Sequence, residues 1–242
     1  MASVVDERGY NQMFQPGVTT TIRLRRRVEA MVREMDLPIS VEECARISIL
    51  EIGCGLGEQA YALASLTGAN VTGVDLSTKF IEHAAVTYTH PGLRFIVADL
   101  SQHGPAAGHE QYDYIVGNGI LHHLYHHLDT FLPVLARWLK PDGRLIFWEP
   151  NLLNPYVRLI FSVPFFRRMA NLEPDEMAFT PDFIRRKLVA AGFANARVTT
   201  RDFLLPNTPE FLIKPLIVAG NWAERIPLVN RMAQSIFFVA GR

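Results

Sequence analysis

The chain has 242 residues, of which 49% are hydrophobic and 20% are charged, a composition typical of a globular chain. Lysine plus arginine equal aspartate plus glutamate at 24 each, which excludes the basic balance of a typical nucleic-acid-binding protein. Cys44 and Cys54 are too few for a disulfide framework, and no apolar run approaches the roughly 20 residues of a transmembrane helix. The first residues lack the pattern of a secretion signal, so we expect a cytoplasmic protein without stable membrane insertion.

The first predicted element is an amphipathic helix over residues 20–35, within an N-terminal helical cap at 1–45. Its arginine run, at 25–27, is interpreted as a solvated face. The apolar side chains that can share the opposite side are Ile22, Leu24, Val28, Met31, Val32 and Met35.

From residue 48 onward, short apolar or β-branched runs alternate with helical patterns. This alternation predicts an α/β fold with a doubly wound parallel sheet covered on both faces. Gly68 is expected to end one helix, and the Pro-Asp-Gly sequence at 141–143 to form a turn. The predicted strands are 48–52, 70–74, 93–98, 112–117 and 143–149, with two more within 196–204 and 235–241.

After the fifth strand, prolines recur every few residues and interrupt the regular pattern. We interpret residues 46–150 as the ligand-binding core, 151–180 as a lid insertion and 181–242 as C-terminal helices and strands of one domain, 1–242. Thr180, followed by Pro181, predicts the start of a helix that ends at Gly192.

Two lid segments, 152–169 and 203–229, are rich in apolar side chains and suit a small molecule with an apolar portion. The alternative is that these side chains pack on the sheet or form a homodimer contact. A further alternative is that the ligand carries a carboxylate or phosphate, which would bind Arg158, Arg167 and Arg168. The expected pocket walls are Phe161, Phe165, Phe166, Phe203 and Phe211.

The strongest local signal is a glycine turn after the first strand, in the sequence ILEIGCGLGE at 49–58. Glycines at Gly53, Gly55 and Gly57 permit positive φ and let a ligand approach the backbone, and doubly wound folds bind nucleotides at this corner. A dinucleotide fingerprint needs its third glycine where this chain has Glu58, whose charge would repel a pyrophosphate. The ligand is therefore expected to lack phosphate here.

Two acidic residues end the next two strands and extend this site. Asp75 follows the second strand and can accept hydrogen bonds from both ribose hydroxyls, while Asp99 follows the third and can accept from an exocyclic amine. The glycine turn and the two carboxylates, in this order, predict a nucleoside ligand.

These motifs resemble those of the class I S-adenosylmethionine-dependent methyltransferases of small molecules. LEIGCGLG resembles the family's first motif, VTGVDLS its second and FIVADL its third. The resemblance covers about residues 46–200 and the final SIFFVAGR. It implies a seven-stranded, mostly parallel sheet in the order 3-2-1-4-5-7-6, in which only the last strand is antiparallel, and S-adenosyl-L-methionine as the cofactor.

The resemblance also implies roles for residues at the carboxyl ends of the first four strands. Glu51 would orient the glycine loop or the cofactor's amino group, Asp75 would hold the ribose hydroxyls, and Asn118 would lie beside the reactive methyl. The whole implied set is Glu51, Gly53, Cys54, Gly55, Gly57, Asp75, Leu76, Asp99, Leu100 and Asn118.

Four of the eight histidines lie at 122–127, directly after the fourth predicted strand. His122 or His123 is a candidate general base or a structural residue, and Glu149, at the end of the fifth strand, is a candidate base, acceptor anchor or turn cap. On a continuous helix the two i,i+4 histidine pairs point about 100° apart. No acidic or cysteine cluster completes a shell for either pair, so no metal is expected.

We therefore expect methyl transfer to a small molecule such as an aromatic, polyketide or isoprenoid secondary metabolite. Oxygen is the expected accepting atom. Nitrogen or carbon acceptors remain alternatives. A nicotinamide oxidoreductase is disfavoured by Glu58. A protein that binds the cofactor without turnover and partners another chain is the non-enzymatic alternative.

Overall fold

The computed structural model describes residues 17–99, 111–206 and 208–242. Its centre is a seven-stranded sheet in the order β3-β2-β1-β4-β5-β7-β6, which confirms the expected topology. Only β7 is antiparallel to its neighbours, β5 and β6. The strands are β1 Ser48–Ile52, β2 Asn70–Asp75, β3 Leu93–Val97, β4 Tyr112–Asn118, β5 Leu139–Pro150, β6 Asn195–Arg201 and β7 Ser235–Gly241.

Nine α-helices are assigned in the described ranges, with a 3-10 helix at Leu121–His127 and another at Asn230–Met232. None of these helices combines the length and apolar character needed to cross a membrane. The α-helices are α1 Val18–Val32, α2 Val41–Cys44, α3 Glu58–Thr67, α4 Thr78–Thr87, α5 Leu128–Trp138, α6 Pro155–Ser162, α7 Pro164–Met169, α8 Pro181–Ala190 and α9 Glu210–Ala223.

Helices cover both faces of the sheet, and successive side chains of a strand point to opposite faces, so both sets of side chains are buried. On β4, Ile115 packs with the side of the sheet that α5 and α8 cover, whereas Val116 packs with the side that α1 and α3 cover. Both side chains are fully buried. The central strands are therefore held rigidly, and their carboxyl ends are fixed relative to one another.

The fifth strand begins earlier than the sequence predicts. Leu139 already pairs with Tyr112, and regular pairing resumes where Arg144 meets Tyr114. The predicted turn at 141–143 therefore lies inside β5, where the pairing with β4 is irregular.

The lid insertion is more regular than its prolines suggest. Asn154 caps α6 by accepting the backbone N–H of Val157 at 3.0 Å, and Pro155 occupies the first turn. Proline is favourable at this position because its missing N–H has no helical partner there. The expected cap at Thr180 is confirmed, while α8 ends at Ala190, two residues before the predicted end at Gly192.

Candidate functional site

The glycine turn between β1 and α3 forms an open cradle at the carboxyl edge of the sheet. Gly53, Gly55 and Gly57 have φ of 65°, 51° and 84°, a region that disfavours side chains with a Cβ. A Cβ on Gly53 would lie 2.5 Å from Cδ1 of Ile120, whereas one on Gly55 would meet no described atom within 4 Å. Gly53 is thus fixed by packing, and Gly55 faces space that a ligand can fill. Cys54 is buried beside them.

Glu51, at the end of β1, is a buried acid next to this cradle. Its Oε2 has no hydrogen-bond partner among the described residues. Burial, and then the charge of Asp75, raise the pKa of Glu51 well above its usual range. An uncompensated buried carboxyl is costly, so a cationic group brought into the cradle would find a ready partner here.

Asp75, at the end of β2, ties the glycine turn to the next helix. Its Oδ2 accepts the backbone N–H of Gly55 at 2.9 Å, and its Oδ1 accepts that of Ser77 at 3.0 Å. A carboxylate has about four lone pairs, so two remain for a ligand. Leu76 beside it is 53% exposed and Asp99 is half-buried, while Leu100 lies outside the described residues.

Asn118, at the end of β4, is held by an arginine from the N-terminal helix. Nη1 of Arg27 donates to Oδ1 of Asn118 at 2.7 Å, and Nη2 donates to Oγ of Ser235 at 2.7 Å. The interpretation of the arginine run as a solvated face is therefore wrong for Arg27, whose side chain is only 15% exposed. It holds for Arg25, which is 79% exposed.

Helical spacing could have identified Arg27 as a site residue. Arg23 and Arg27 lie four residues apart, on the stripe of α1 that also carries the buried Thr19 and Ala30. Two arginines on an inward-facing stripe indicate a polar interior partner rather than solvent.

Glu149, at the end of β5, organises the loop after β4. Its carboxylate accepts the backbone N–H groups of Ile120 at 3.1 Å, Leu121 at 2.7 Å and His122 at 3.3 Å. These are the donors that the start of a helix leaves unpaired, here the 3-10 helix at Leu121–His127. Glu149 Oε2 also lies 3.0 Å from Nδ1 of His122. Glu149 therefore fixes both the loop and the imidazole ring of His122.

His123 points toward the lid insertion instead. Its Nδ1 lies 2.9 Å from Oε1 of Glu176 and 3.5 Å from Oε2 of Glu173. Burial alone would lower the pKa of His123, but the hydrogen bond and charge of Glu176, with the charges of Glu149 and Glu173, outweigh it and raise the pKa. Sequence reasoning missed Glu176 because 53 positions separate it from His123, and only the folded lid brings the two together.

This ion pair makes a testable contribution to stability. The pKa of His123 is raised on folding, so its contribution is fully present below the unfolded value near 6.5 and is lost as pH rises through the folded pKa. We expect His123→Asn to lower the free energy of unfolding at pH about 6 and to cost progressively less as pH rises. Urea titrations from pH about 5.5 to about 9 measure this difference. His127→Asn, at an exposed histidine, is the control. A His123→Asn cost that does not change with pH would contradict the ion pair.

The four histidines do not form the continuous helix on which the i,i+4 pairs were considered. Leu124 has non-helical angles inside the 3-10 helix, and His126 and His127 are exposed. Within the described part of the chain, His122, His123 and Glu176 instead place possible ligand atoms within 4.8 Å of one another. The expectation that no metal binds stays a prediction, which elemental analysis before and after chelation can check.

A cavity of about 220 Å³ lies at the carboxyl ends of β4 and β5, where Gly119 and Glu149 line it. Arg23, Arg27, Glu149, Gln234 and Ser235 form its polar wall, with Gly119 beside them. The apolar wall is Trp148, Pro150, Tyr156, Val157, Ile160, Phe161 and Pro206.

The cavity corrects several expectations about the lid. Phe161 is a pocket wall as predicted, but Phe165 and Phe211 are 58% and 78% exposed. Arg167 does not face the cavity. It donates to the carbonyls of Phe161, Glu173, Pro174 and Glu176, and so holds the lid together. Phe166 and Phe203 are half-buried, and Arg158 and Arg168 are exposed.

Comparison with known proteins gives a consistent result. A family model described as a methyltransferase domain matches residues 50–147. The chain is 30% identical over 174 residues to a highly reducing polyketide synthase of Purpureocillium lilacinum, covering 66% of this chain and 7% of that protein. It is 36% identical over 105 residues to a malonyl-[acyl-carrier protein] O-methyltransferase of Halalkalibacterium halodurans, covering 41% and 38%. These matches span less than half of either relative.

Among solved structures, the fold is similar to that of a SAM-dependent methyltransferase from Archaeoglobus fulgidus. The TM-score is 0.65 at 14% sequence identity, and the alignment covers 96% of this chain and 98% of the other. At this level of identity the likeness concerns the fold, which agrees with the strand order of the sheet.

Proposed function

We propose that the chain is a class I S-adenosylmethionine-dependent methyltransferase, which transfers a methyl group from S-adenosyl-L-methionine to a small molecule with an apolar portion. The observation that carries the proposal is the placement of two spaces at one edge of the sheet. The glycine turn packs against Ile120, just after β4, and the partly apolar cavity is lined by Gly119 and by Arg27, which donates to Asn118. We place the methyl transfer at this loop after β4, because it touches both spaces.

The cofactor fits the cradle by the chemistry of its residues. The unpartnered Oε2 of Glu51 suits the ammonium of the methionine part, and the remaining lone pairs of Asp75 suit the ribose hydroxyls. The methionine part of the cofactor would lie against the backbone of Gly53, Cys54, Gly55 and Gly57. The adenine would lie among Leu76, Asp99 and Leu100. When bound, the cofactor supplies an electrophilic methyl on a sulfonium.

Glu51 predicts a pH dependence of cofactor binding. Its raised pKa favours the neutral acid in the free protein, whereas a bound ammonium favours the carboxylate, so binding should release a proton. We expect the affinity for S-adenosylhomocysteine to rise as pH increases above the ordinary glutamate pKa of about 4.5, and Glu51→Gln to remove this dependence and weaken binding about tenfold. Calorimetry in two buffers of different ionisation enthalpy measures the proton. Glu82→Gln, at an exposed acid, should behave like wild type. Equal pH profiles for wild type and Glu51→Gln would refute the role.

We further propose oxygen as the accepting atom and His122 as the group that takes its proton. With Nδ1 of His122 beside Glu149, proton transfer falls to Nε2, and the carboxylate stabilises the imidazolium that forms. His123 is less suited, because Glu173 and Glu176 favour its protonated form. Glu149 is then a positioning residue with three backbone partners rather than the base.

A screen for methyl transfer tests the whole proposal. The protein is incubated with radiolabelled S-adenosyl-L-methionine and a metabolite extract, and mass spectrometry of the labelled product identifies both acceptor and atom. An N- or C-methylated product would replace the oxygen assignment. Binding of S-adenosylhomocysteine without transfer of label would support the non-catalytic partner protein instead.

We extend the proposal to the metabolic pathway and the oligomeric state of the protein. The O-methyltransferase relative supports an oxygen acceptor, and the polyketide synthase relative supports a role in secondary metabolism. We also propose that the chain works as one domain in the cytoplasm, with 151–180 as a lid and 1–45 as a cap, of which 1–16 lie outside the described residues. A homodimer would use exposed apolar side chains such as Phe211 and Trp222, and sedimentation measures it.

A further inference from the structure

Two arginines of α1 line the cavity side by side. Arg23 and Arg27 lie one helical turn apart, and their side chains are only 14% and 15% exposed. Nη2 of Arg23 donates to Oε1 of Gln234 at 2.7 Å, while Arg27 donates to Asn118 and Ser235. These three acceptors are neutral, so the hydrogen bonds fix the guanidinium groups without neutralising them.

Their charges are only partly compensated. Among the described residues, both arginines form ion pairs with one carboxylate, that of Asp202. Its Oδ2 lies 3.7 Å from Nε of Arg23 and 3.6 Å from Nη2 of Arg27, both beyond hydrogen-bond distance. The Nε atoms of both arginines are buried and lack a hydrogen-bond partner in the described ranges. Burial, and then the charge of Arg27, lower the pKa of Arg23 to about 10, a sign of incomplete compensation.

Burial lowers the pKa of Arg27, and the charges of Asp202 and then of the cavity's other acid, Glu149, oppose this shift. Glu149 lines the wall, but its carboxylate already accepts three backbone N–H groups and faces the ring of His122. Two buried guanidinium groups share one carboxylate, at 3.7 and 3.6 Å, so they carry positive charge that a further anion would neutralise. A carboxylate fits a guanidinium well because it accepts two parallel hydrogen bonds.

The apolar part of the cavity wall limits what the rest of the ligand contains. It is built by the apolar side chains of α6 and by Trp148, over which the Arg27 guanidinium lies at 5.4 Å. The volume of about 220 Å³ is below the roughly 300–1,000 Å³ of drug-sized pockets. The cavity therefore suits one ring or a short chain.

We propose that the methyl acceptor is a small, largely apolar hydroxy acid whose carboxylate binds Arg23 and Arg27 and whose hydroxyl oxygen accepts the methyl group as its proton passes to His122. The inference rests on the proposed methyl transfer, since it treats this cavity as the acceptor site. The cofactor's own carboxylate is the other source of the same chemistry. The acceptor is favoured because none of the cavity's described lining residues belongs to the glycine turn at 53–57.

Calorimetry with simple acids tests the proposal on the protein saturated with S-adenosylhomocysteine. Benzoate and hexanoate are the probes, and benzamide and hexanamide are their uncharged counterparts. We expect the acids to bind at least about tenfold more tightly than the amides, and Arg23→Gln to remove most of this preference. Affinity for S-adenosylhomocysteine should stay within about threefold. Arg25→Gln, on the exposed side of the same helix, should change neither value.

A second variant is expected to change the affinity for the acids in the opposite direction. Asp202→Asn removes the anion that competes with the ligand, so it should strengthen acid binding, and asparagine tolerates the φ of 71° at this position. A purely structural role for the arginines predicts no such gain. This variant also decides the question if Arg23→Gln fails to fold.

Three outcomes would overturn the assignment: amides that bind as tightly as acids, acid binding unchanged or weakened by Asp202→Asn, or an Arg23→Gln loss confined to S-adenosylhomocysteine. The last outcome would assign the arginines to the cofactor's carboxylate. Failure of the proposed function is distinct. A protein that binds the acids through Arg23 but transfers no label in the extract screen keeps the anion site and loses the methyl transfer.

Discussion

Replacing Asp75 by alanine is expected to weaken S-adenosylhomocysteine binding by two to four powers of ten. Two ribose hydroxyls would each lose a hydrogen bond to a charged acceptor, about 1.5–3 kcal/mol apiece, and about 1.4 kcal/mol corresponds to tenfold in affinity. The backbone N–H groups of Gly55 and Ser77 would also lose the carboxylate that orients the turn. Isothermal calorimetry on the purified protein measures the loss directly.

Two further variants separate these causes. Asp75→Asn keeps one acceptor oxygen but removes the charge, and should fall between wild type and Asp75→Ala. Asp142→Ala, at an exposed aspartate on β5, should bind as wild type does. Thermal melting of each variant shows whether the loop has lost order. Unchanged affinity in a folded Asp75→Ala protein would remove Asp75 from the cofactor site, and no binding to the wild-type protein would contradict the cofactor assignment itself.

Much of the sheet was predictable because local signals agree there. β1 and β7 match their predicted bounds, since each is a compact apolar run with a clear boundary. The fifth strand was harder: its early start depends on the pairing of Leu139 with Tyr112 on a neighbouring strand, which periodicity within one segment does not show. The lid was the least predictable, because its two short helices are defined by caps such as Asn154 rather than by a long apolar repeat.

The candidate site divides in the same way. Residues at the ends of β1 and β2 follow their strands immediately, so strand prediction alone places Glu51, Gly55 and Asp75 together. The contacts of Arg27 with Asn118 and of His123 with Glu176 join segments 91 and 53 residues apart in the chain. Such pairs depend on how the cap and the lid dock on the sheet. Charge patterns read along one helix do not contain that information.

Replacing His122 by asparagine is expected to lower kcat by about 10² to 10⁴, the usual contribution of a positioned general base. The asparagine amide can still donate to Glu149 from roughly the place of Nδ1, so the loop keeps its anchor while the proton acceptor at Nε2 is lost. The imidazole lies against two residues that line the cavity, Gly119 and Phe161. Its Cε1 would lie 3.5 Å from a Cβ at Gly119, and the ring centroids of His122 and Phe161 are 6.0 Å apart in an edge-on arrangement.

The measurement uses the acceptor recovered from the methyl-transfer screen, with kcat and KM determined for each variant alongside S-adenosylhomocysteine affinity. His126→Asn, at an exposed histidine of the same segment, is the matched control and should retain full activity. His123→Asn should affect stability more than kcat, because its ring is already engaged by Glu176. If His122→Asn keeps wild-type kcat while His123→Asn loses it, the base is His123. If both keep kcat, alignment of the acceptor by the cavity supplies the acceleration without a base.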